Sequence, residues 1–561
     1  MEEEGLLIRL QDKYNQGCAY YARGDYAAAA GVFRECLAIN PDNPDLLNAL
    51  GSALEALGKL DEAADLLEKA CGLSPENAVF HYNLGNLQRR KGKREQAEHE
   101  YLEAISEDEG VAEFFHGLGS LYLEDGRLEQ AESCLLKTVE LAPDLVPALH
   151  DLGLLRQSQR KLDQAEELFR CCLDRDGSFP PALNSLGMLL LQGNKVEQAR
   201  ECFMSAIRQN PDYLQARANL AVLSTWCGEL EYAVRELLQL AELAPNDADL
   251  HFNLSLALLA YGRMAEGWRE HEWRFSKASP VERRHADIPR WQGERLAGKR
   301  LLVHAEQGYG DSLQFIRYAG MLAELGATVL VEAQDRIIAP LLATVPGVAG
   351  VFARGDAAPP VDYQIPMMSL PLPLGKDGWP PSAPPYLFAQ PDKVAAWRER
   401  LSELQGLKVG LAWAGRTEHA NDANRSIPEH LLVPFGELTG VSFVSLQVGS
   451  GKMGNVPFPL FDVSAYLYDF CDSAALVSAL DLIITVDSAV AHLAGGLGRP
   501  AIVMLPWNPD WRWQHGRNDS DWYPSIRLFR QTVVGGWSEL ITHVIKYLRQ
   551  TLGLDMTTAN E

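Results

Sequence analysis

Apolar and small positions recur along the first half of the chain with a fixed spacing of 34 residues. Gly17, Gly51, Gly85, Gly119, Gly153 and Gly187 mark it, and Ala221 and Ser255 continue it. Twelve residues after each stands another small residue: Ala29, Ala63, Ala97, Ala131, Ala165, Ala199, Ala233 and then Gly267. A third position carries Pro41, Pro75, Pro143, Pro211 and Pro245, with Glu109 and Gly177 as exceptions. Small residues at two fixed points let paired helices approach closely, and the proline ends the second helix because it has no N–H for the ladder. The pattern predicts a stack of helix pairs over residues 1–276, its last unit, with Ser255 and Gly267, capping the stack where the next domain begins.

From Lys299 the period changes. Short β-rich runs alternate with helical ones: "RLLVHA", "ATVLVEA", "VAGVFA", "VDYQIP", "LKVGLAWA", "VSFVSLQ", "LDLIITV" and "PAIVMLP". Such alternation predicts parallel sheets covered by helices. A Pro-rich stretch at 371–391 splits the series, and "GWSELITHVIKYLRQTL" predicts one closing helix. The expected organisation is a helical solenoid at 1–276, a linker at 277–298, one α/β lobe at 299–390 and a second at 391–561.

Composition narrows the function. The 561 residues carry a net charge of −24, which argues against a nucleic-acid partner. Residues 1–250 hold 23 Lys and Arg against 43 Asp and Glu, a balance of −20, whereas 251–300 hold 10 against 6. Nine cysteines without a CxxC pair suit a reducing, cytoplasmic setting. The acidic start "MEEEGLLIRL" is unlike a signal peptide, and no apolar run is long enough for a membrane span.

Ligands of parallel sheets bind outside the carboxyl ends of the strands, so the candidate chemistry lies there. "VHAEQGYGDSLQF" at 303–315 reads as a strand passing through a Gly-rich turn into a helix. A dinucleotide cradle needs G-x-G-x-x-G, but Leu313 stands at the third glycine position. Gly308 and Gly310 instead allow a tight turn and close approach, presenting Asp311 at the helix start as a general base. The helix dipole is expected to lower its pKa. Glu306 is a rival for the role, and a plain helix cap is the alternative for Asp311.

The strand "DLIITV" ends in "DSAVAHLAGGLGRP". Ser488 suits an N-cap, and the helix start after Asp487 suits a diphosphate. His492 lies one turn in. Both Asp487 and His492 keep bland readings, a cap and a packed ring. After "LAWAG", with Trp413 and Gly415, comes a polar loop with Arg416, His419, Asn421, Asp422 and Arg425. Arg416 reads as a solvated charge and Arg425 as a phosphate ligand across the cleft. Gln447 either contacts a base or ribose or faces water. Trp507, Trp511 and Trp513 either stack on a ligand or pack the lobes. Asp519-Ser-Asp521 lies outside any strand-end context, so no metal is expected. In the repeats, the residue two before each register position reads Asn15, Ala49, Asn83, Gly117, Asp151, Ser185, Asn219 and Asn253.

The 34-residue repeat resembles the tetratricopeptide repeat (TPR), and "YNLGN" resembles the asparagine ladder of O-GlcNAc transferase, in which such amides hold a peptide. "EQGYGDSLQFIRYAGML", "VGLAWAG", "NRSIP", "VSLQ", "DLIITVDSAVAHLAGGLGRP" and "PWNPDWRW" resemble the family 9, heptosyltransferase-like glycosyltransferases, and more closely their TPR-fused members. That resemblance implies a GT-B fold of two Rossmann-like lobes, an inverting and metal-independent transfer, a nucleotide-sugar as donor substrate and no cofactor. It implies Asp311 as catalytic base, with Glu306 as its rival. Gly308, Gly310, Trp413, Arg425, Gln447, Asp487, Ser488 and His492 are the expected donor site, and Asn83, Asn219 and Asn253 the expected polypeptide-acceptor contacts. The expected function is protein O-glycosylation, of flagellin type or other. The alternatives are a glycan- or lipid-directed transferase with TPR partner binding, or a TPR scaffold with a degenerate transferase domain.

Overall fold

The computed structural model describes residues 2–375, 384–416, 421–448 and 456–552. The chain divides into two compact units, Met1–Ala216 and Arg217–Glu561.

In the first unit, six antiparallel helix pairs run from Glu2–Ala22 with Tyr26–Ile39 to Pro180–Gln192 with Val196–Gln209. The repeated glycine has a single physical cause. A Cβ at Gly17, Gly85, Gly153 or Gly187 would lie within 3.0 Å of the ring of Phe33, Tyr101, Phe169 or Phe203, each sixteen residues later. At Gly51 and Gly119 the facing residues are Leu67 and Leu135. The prolines follow the second helices as expected: Pro41 comes after Ile39, and Pro143 after Leu141. A second periodic position emerges only in the structure. Gly24, Gly58, Gly92 and Gly126 turn between the helices of a pair with positive φ, and Arg160 and Asn194 hold the same conformation at φ 60°. Glycine adopts it without a Cβ penalty.

The second unit contains the last helix pairs and two parallel sheets. The first sheet comprises β1 (Arg300–His304), β2 (Thr328–Ala333), β3 (Val348–Ala353) and β4 (Tyr363–Pro366), in the order β3-β2-β1-β4. The second comprises β5 (Leu407–Ala412), β6 (Val441–Ser445), β7 (Leu460–Phe461), β8 (Leu482–Val486), β9 (Ala501–Leu505) and β10 (Ile526–Arg530), in the order β10-β9-β8-β5-β6-β7. Every pairing is parallel. All eight predicted strands form; β7 and β10, at the two edges of the second sheet, escaped the sequence pattern.

The strands read as continuous apolar runs because both faces are covered. Side chains alternate between the faces. Along β9, Ile502 and Met504 join Trp537, Leu540, Ile541 and Val544 of the closing helix Trp537–Leu552. Ala501, Val503 and Leu505 face the opposite core, with Leu493 and Ala494. The last repeat helix, Met264–His271, belongs to that same core: Trp268 meets Phe315 and Trp511 edge-on, at 5.5 and 5.3 Å.

Two points of this topology mark sites. In the second sheet, β5 leads outward to β6 on one side while β8 lies on its other side. In the first, β1 leads to β2 while β4 lies on its other side. At such switch points the loops beyond the carboxyl ends diverge and leave a crevice.

Candidate functional site

At the switch point between β5 and β8, the Trp413 carbonyl accepts from Ile427 N at 2.7 Å, closing the loop that follows β5. This brings Arg425 back to the sheet. Its Nη1 donates to the Asp487 carbonyl at 3.3 Å, and its Nε lies 3.5 Å from Asp422. Gly415 makes room for the guanidinium: a Cβ there would stand 2.5 Å from Nη2. Arg425 therefore sits beside the Asp487 segment, on the same sheet, and not across the cleft as expected. Ser488 is the N-cap of the helix Ala489–Gly496, with Oγ accepting from Val490 N at 3.3 Å. Burial, then the neighbouring Asp510 carboxylate, pushes the Asp487 pKa up to about 6, against the opposing pull of Arg425 and Arg512. His419 lies outside the described residues. Arg416 is exposed, as its reading requires, and its guanidinium lies 5.5 Å from the centre of the Tyr309 ring.

The Gly-rich turn of the first sheet meets the second sheet's segments at His492 and Arg512. Gly308 is the N-cap of the helix Tyr309–Phe315, with extended backbone (φ −75°). It needs no glycine-only conformation, contrary to the sequence argument. The close approach occurs at Gly310, where a Cβ would lie 2.8 Å from the His492 ring. What approaches is therefore a protein side chain, which replaces the expected ligand contact. The Asp311 carboxylate accepts from Gly308 N at 3.0 Å and from Arg512 Nη2 at 2.7 Å. Burial raises its pKa, and this outweighs Arg512. The expected depression by the helix dipole is thus reversed, because desolvation of a carboxylate is the larger effect here.

Arg512 is the residue that the sequence reading missed. It reaches from the segment after β9 and spends its guanidinium on Asp311, on Asp510 at 2.9 Å and on Gln314 Oε1 at 2.6 Å. Its plane rests on Trp511, 4.4 Å from the ring centre. The only sequence hint was the unusual "PDWRW".

Four expected site residues are committed to internal contacts. Glu306 is buried, its two oxygens held by Arg274 Nε at 2.8 Å and Nη2 at 3.1 Å, with Met368 N donating at 3.0 Å. Both carboxylate oxygens are thus taken up by internal donors, an arrangement that favours Asp311 over Glu306 as the group presented to a substrate. Gln447 pairs through both amide atoms with the Ala414 backbone at 3.2 Å, so it neither reads a ligand nor faces water. Trp413 is a core residue packed with Ile427, Leu432 and Phe435. His492 is buried against Trp513, and its Nδ1 is 2.9 Å from the Tyr523 hydroxyl. Burial holds its pKa well below the ordinary value, so it brings no charge to a phosphate.

Trp511 and Trp513 are likewise buried packing residues, and Trp507 lies edge-on to Trp226. Asp519 and Asp521 both pair with Arg517, at 2.7 and 2.6 Å. Among the described residues, one cluster has metal-ligand composition: Cys71, His81 and Glu100. Burial pushes the Cys71 thiol up to about 12, and both His81 nitrogens are engaged, by Glu100 at 2.7 Å and the Pro75 carbonyl at 2.9 Å. That chemistry does not suit a cation.

In the repeats, Asn83 donates to Asn48 Oδ1 at 2.9 Å, 35 residues earlier and one residue before the preceding register position, Ala49. Where the asparagine ladder breaks, His116 bonds Asp151 at 3.1 Å and His150 bonds Ser185 at 3.0 Å, in the same 35-residue spacing. Asn219 and Asn253 are half-buried in the helices Leu214–Trp226 and Ala248–Tyr261.

Residues 14–78, 82–145 and 150–213 match the tetratricopeptide repeat family. The chain is 33% identical over 378 residues to protein FlbA of Caulobacter vibrioides, a match covering 60% of this chain. It spans 62% of that relative's length, less than two thirds. Solved structures with a likeness to it include the APC/C hetero-tetramer Cut9–Hcn1, 18% identical over 46% of this chain and 51% of that one, TM-score 0.40. Another is PilF of Pseudomonas aeruginosa, 23% identical over 37% of this chain and 94% of that one, TM-score 0.32. The first part of the chain is thus a solenoid of TPR helix pairs, the second contains parallel sheets covered by helices, and no described helix is long and apolar enough to cross a membrane.

Proposed function

We propose that the protein is a cytoplasmic glycosyltransferase of GT-B architecture that moves a sugar from a nucleotide-sugar to a hydroxyl of a polypeptide, with the TPR arm engaging that polypeptide. One observation carries this reading. Asp311, at the switch point of the first sheet, is joined through Arg512 to the segment beside Asp487, at the switch point of the second. Two parallel sheets that offer their strand ends to one another suit a substrate divided between them.

In this reading the donor diphosphate lies at Arg425 and the start of the helix after Ser488, where a guanidinium meets the positive end of a helix dipole. Asp311 takes the proton of the acceptor hydroxyl as its oxygen bonds the anomeric carbon. The bond from that carbon to the diphosphate breaks, and the nucleoside diphosphate leaves with the electron pair. Attack opposite the leaving group inverts the centre. The sugar nucleotide is a substrate, and the mechanism calls on no cofactor or metal. With a pKa of about 6, Asp487 is mostly ionised at neutral pH, so its repulsion of the diphosphate has to be offset by Arg425 and the helix start.

A panel of nucleotides and nucleotide-sugars tests this by thermal stabilisation. A donor at about 100 times its Kd adds roughly 2.7 kcal/mol. Stabilisation by one nucleotide class, weakened in Arg425→Ala, is expected. Indifference to every nucleotide and nucleotide-sugar sinks the reading.

A further inference from the structure

We propose that Arg512 is a positioning residue of the reaction: it reaches from the second α/β lobe to the Asp311 carboxylate and holds it as proton acceptor, so that the base is in place only while the two lobes are apposed. This rests on the glycosyltransferase reading above.

The geometry is specific. Nη2 meets Asp311 at 2.7 Å, Nη1 meets Asp510 at 2.9 Å and Nε meets Gln314 at 2.6 Å. Gln314 lies on the same short helix as Asp311, whereas Asp510 precedes Arg512 in the other lobe. The guanidinium therefore grips the helix at two points one turn apart and is itself fixed by its own loop. A planar fork with three engaged edges holds direction as well as charge, which a lysine ammonium cannot do. Trp511 beneath the plane and Phe315, 5.9 Å from it, leave it little freedom. Asp311 is a weak cap on its own, making one backbone contact with Gly308 N. Without Arg512 its remaining oxygen has no partner among the described residues.

The charges facing Asp311 come from several elements. Arg512 and Asp510 approach from the segment after β9, and Glu306 from its own turn, though Arg274 neutralises Glu306. Asp487, at the end of β8, acts on Arg512 from the other side. His492, against Gly310, is neutral. Arg512 is thus the cation that favours the ionised, proton-accepting form of Asp311 against burial and two acids. Its loss raises the Asp311 pKa, and turnover then needs a higher pH.

The test uses the full chain, the nucleotide-sugar that stabilises it and a protein acceptor. Donor affinity is measured by calorimetry and turnover as a function of pH for wild type, Arg512→Gln and Arg512→Lys. The expected result for Arg512→Gln is donor affinity within about threefold of wild type. Its turnover falls about 10²-fold, the loss typical of a misplaced group. The acid limb of its pH profile moves up by about one unit or more, the usual effect of removing an adjacent guanidinium. Arg512→Lys keeps the charge, so its limb stays in place while turnover remains reduced. A merely structural arginine lowers turnover without moving the limb, and that outcome overturns the proposal. So does donor affinity falling in step with turnover, which makes Arg512 a phosphate ligand. If Arg512→Gln does not fold, Arg512→Lys decides by the split between binding and turnover: wild-type turnover, or donor affinity falling in step with turnover, overturns the proposal, and reduced turnover with donor affinity within about threefold of wild type supports it. Wild type that binds no nucleotide-sugar defeats the functional reading, and this proposal with it; active wild type with indifferent variants defeats this proposal alone.

Discussion

The periodic glycine of the repeats offers a graded test of how tightly helix pairs dictate their sequence. At Gly153 an added Cβ would stand 2.5 Å from Phe169 Cε1 and 2.8 Å from Cδ1. The ring is fully buried and has nowhere to retreat. At Gly119 the facing residue is Leu135, and the nearest atoms are 3.0 and 3.1 Å away. A branched aliphatic side chain can turn by that much, and the seventh repeat already places Ala221 sixteen residues before Leu237. Both substitutions to alanine gain about 0.8–1.0 kcal/mol of helix propensity. Overpacking a tight core costs about 1–3 kcal/mol. Gly153→Ala should therefore lose up to about 2 kcal/mol, while Gly119→Ala should be neutral or gain up to about 1 kcal/mol. All twelve tryptophans lie beyond residue 216, so their fluorescence reports only the second unit, whereas far-UV dichroism reports both. Urea titrations followed by the two signals isolate the transition of the first unit. Phe169→Leu in the same chain should reduce the cost of Gly153→Ala, a coupling that a double-mutant cycle measures. Equal effects at Gly153 and Gly119, within about 0.5 kcal/mol, would refute the argument that the facing ring selects glycine.

Three further outcomes are expected. Arg160→Gly relieves a left-handed backbone (φ 60°) on an exposed turn, and should stabilise the first unit by about 0.5–1 kcal/mol after allowing for the extra freedom of glycine when unfolded. Asp487 has a raised folded-state pKa, so the penalty it imposes is absent below its unfolded value near 3.8 and complete above about 6. Asp487→Asn should accordingly stabilise the second unit at pH 7.5 relative to pH 4 by up to about 3 kcal/mol; a pH-independent difference in urea midpoints contradicts this. Arg425→Ala should weaken donor binding by about 1.5–3 kcal/mol in calorimetry, the range for a hydrogen bond to a charged group, and unchanged affinity removes Arg425 from the site.

The repeats were legible because a solenoid makes its contacts between near neighbours in the chain: Gly153 and Phe169 are only sixteen residues apart. The turn register at Gly24 was legible in principle, but Arg160 and Asn194 interrupt it, and only the shared positive φ reveals it. The strands were legible where both faces are buried. β7 has two residues, and β10 lies at a sheet edge and exposes Arg527, so neither reads as a core run. The strand-end rule pointed to Asp311, Arg425, Asp487 and Ser488, and the fold carries them beyond the strand ends at the two switch points. It could not tell which side chains are already spent. Glu306 looked as free as Asp311 until Arg274, 32 residues earlier, took both its oxygens. Gln447 looked like a ligand contact until Ala414 took its amide. Asp311 looked like an acidified helix-start carboxylate until burial set its pKa, and its partner Arg512 lies 201 residues away. Pairing across such distances is tertiary information that no local pattern carries.

We propose that this chain transfers sugar with Asp311 as base. The most direct measurement follows nucleoside diphosphate release and sugar incorporation into an acceptor polypeptide together, by chromatography and intact mass, for wild type and Asp311→Asn. Asn keeps the shape and the contact from Gly308 N but cannot take a proton. The account predicts matched release and incorporation by wild type. In Asp311→Asn it predicts nearly unchanged donor binding and turnover reduced by about 10²–10⁴, the span typical of losing a general base. Turnover of Asp311→Asn within a factor of a few of wild type would contradict it, and so would a wild-type protein that releases no diphosphate from any sugar nucleotide.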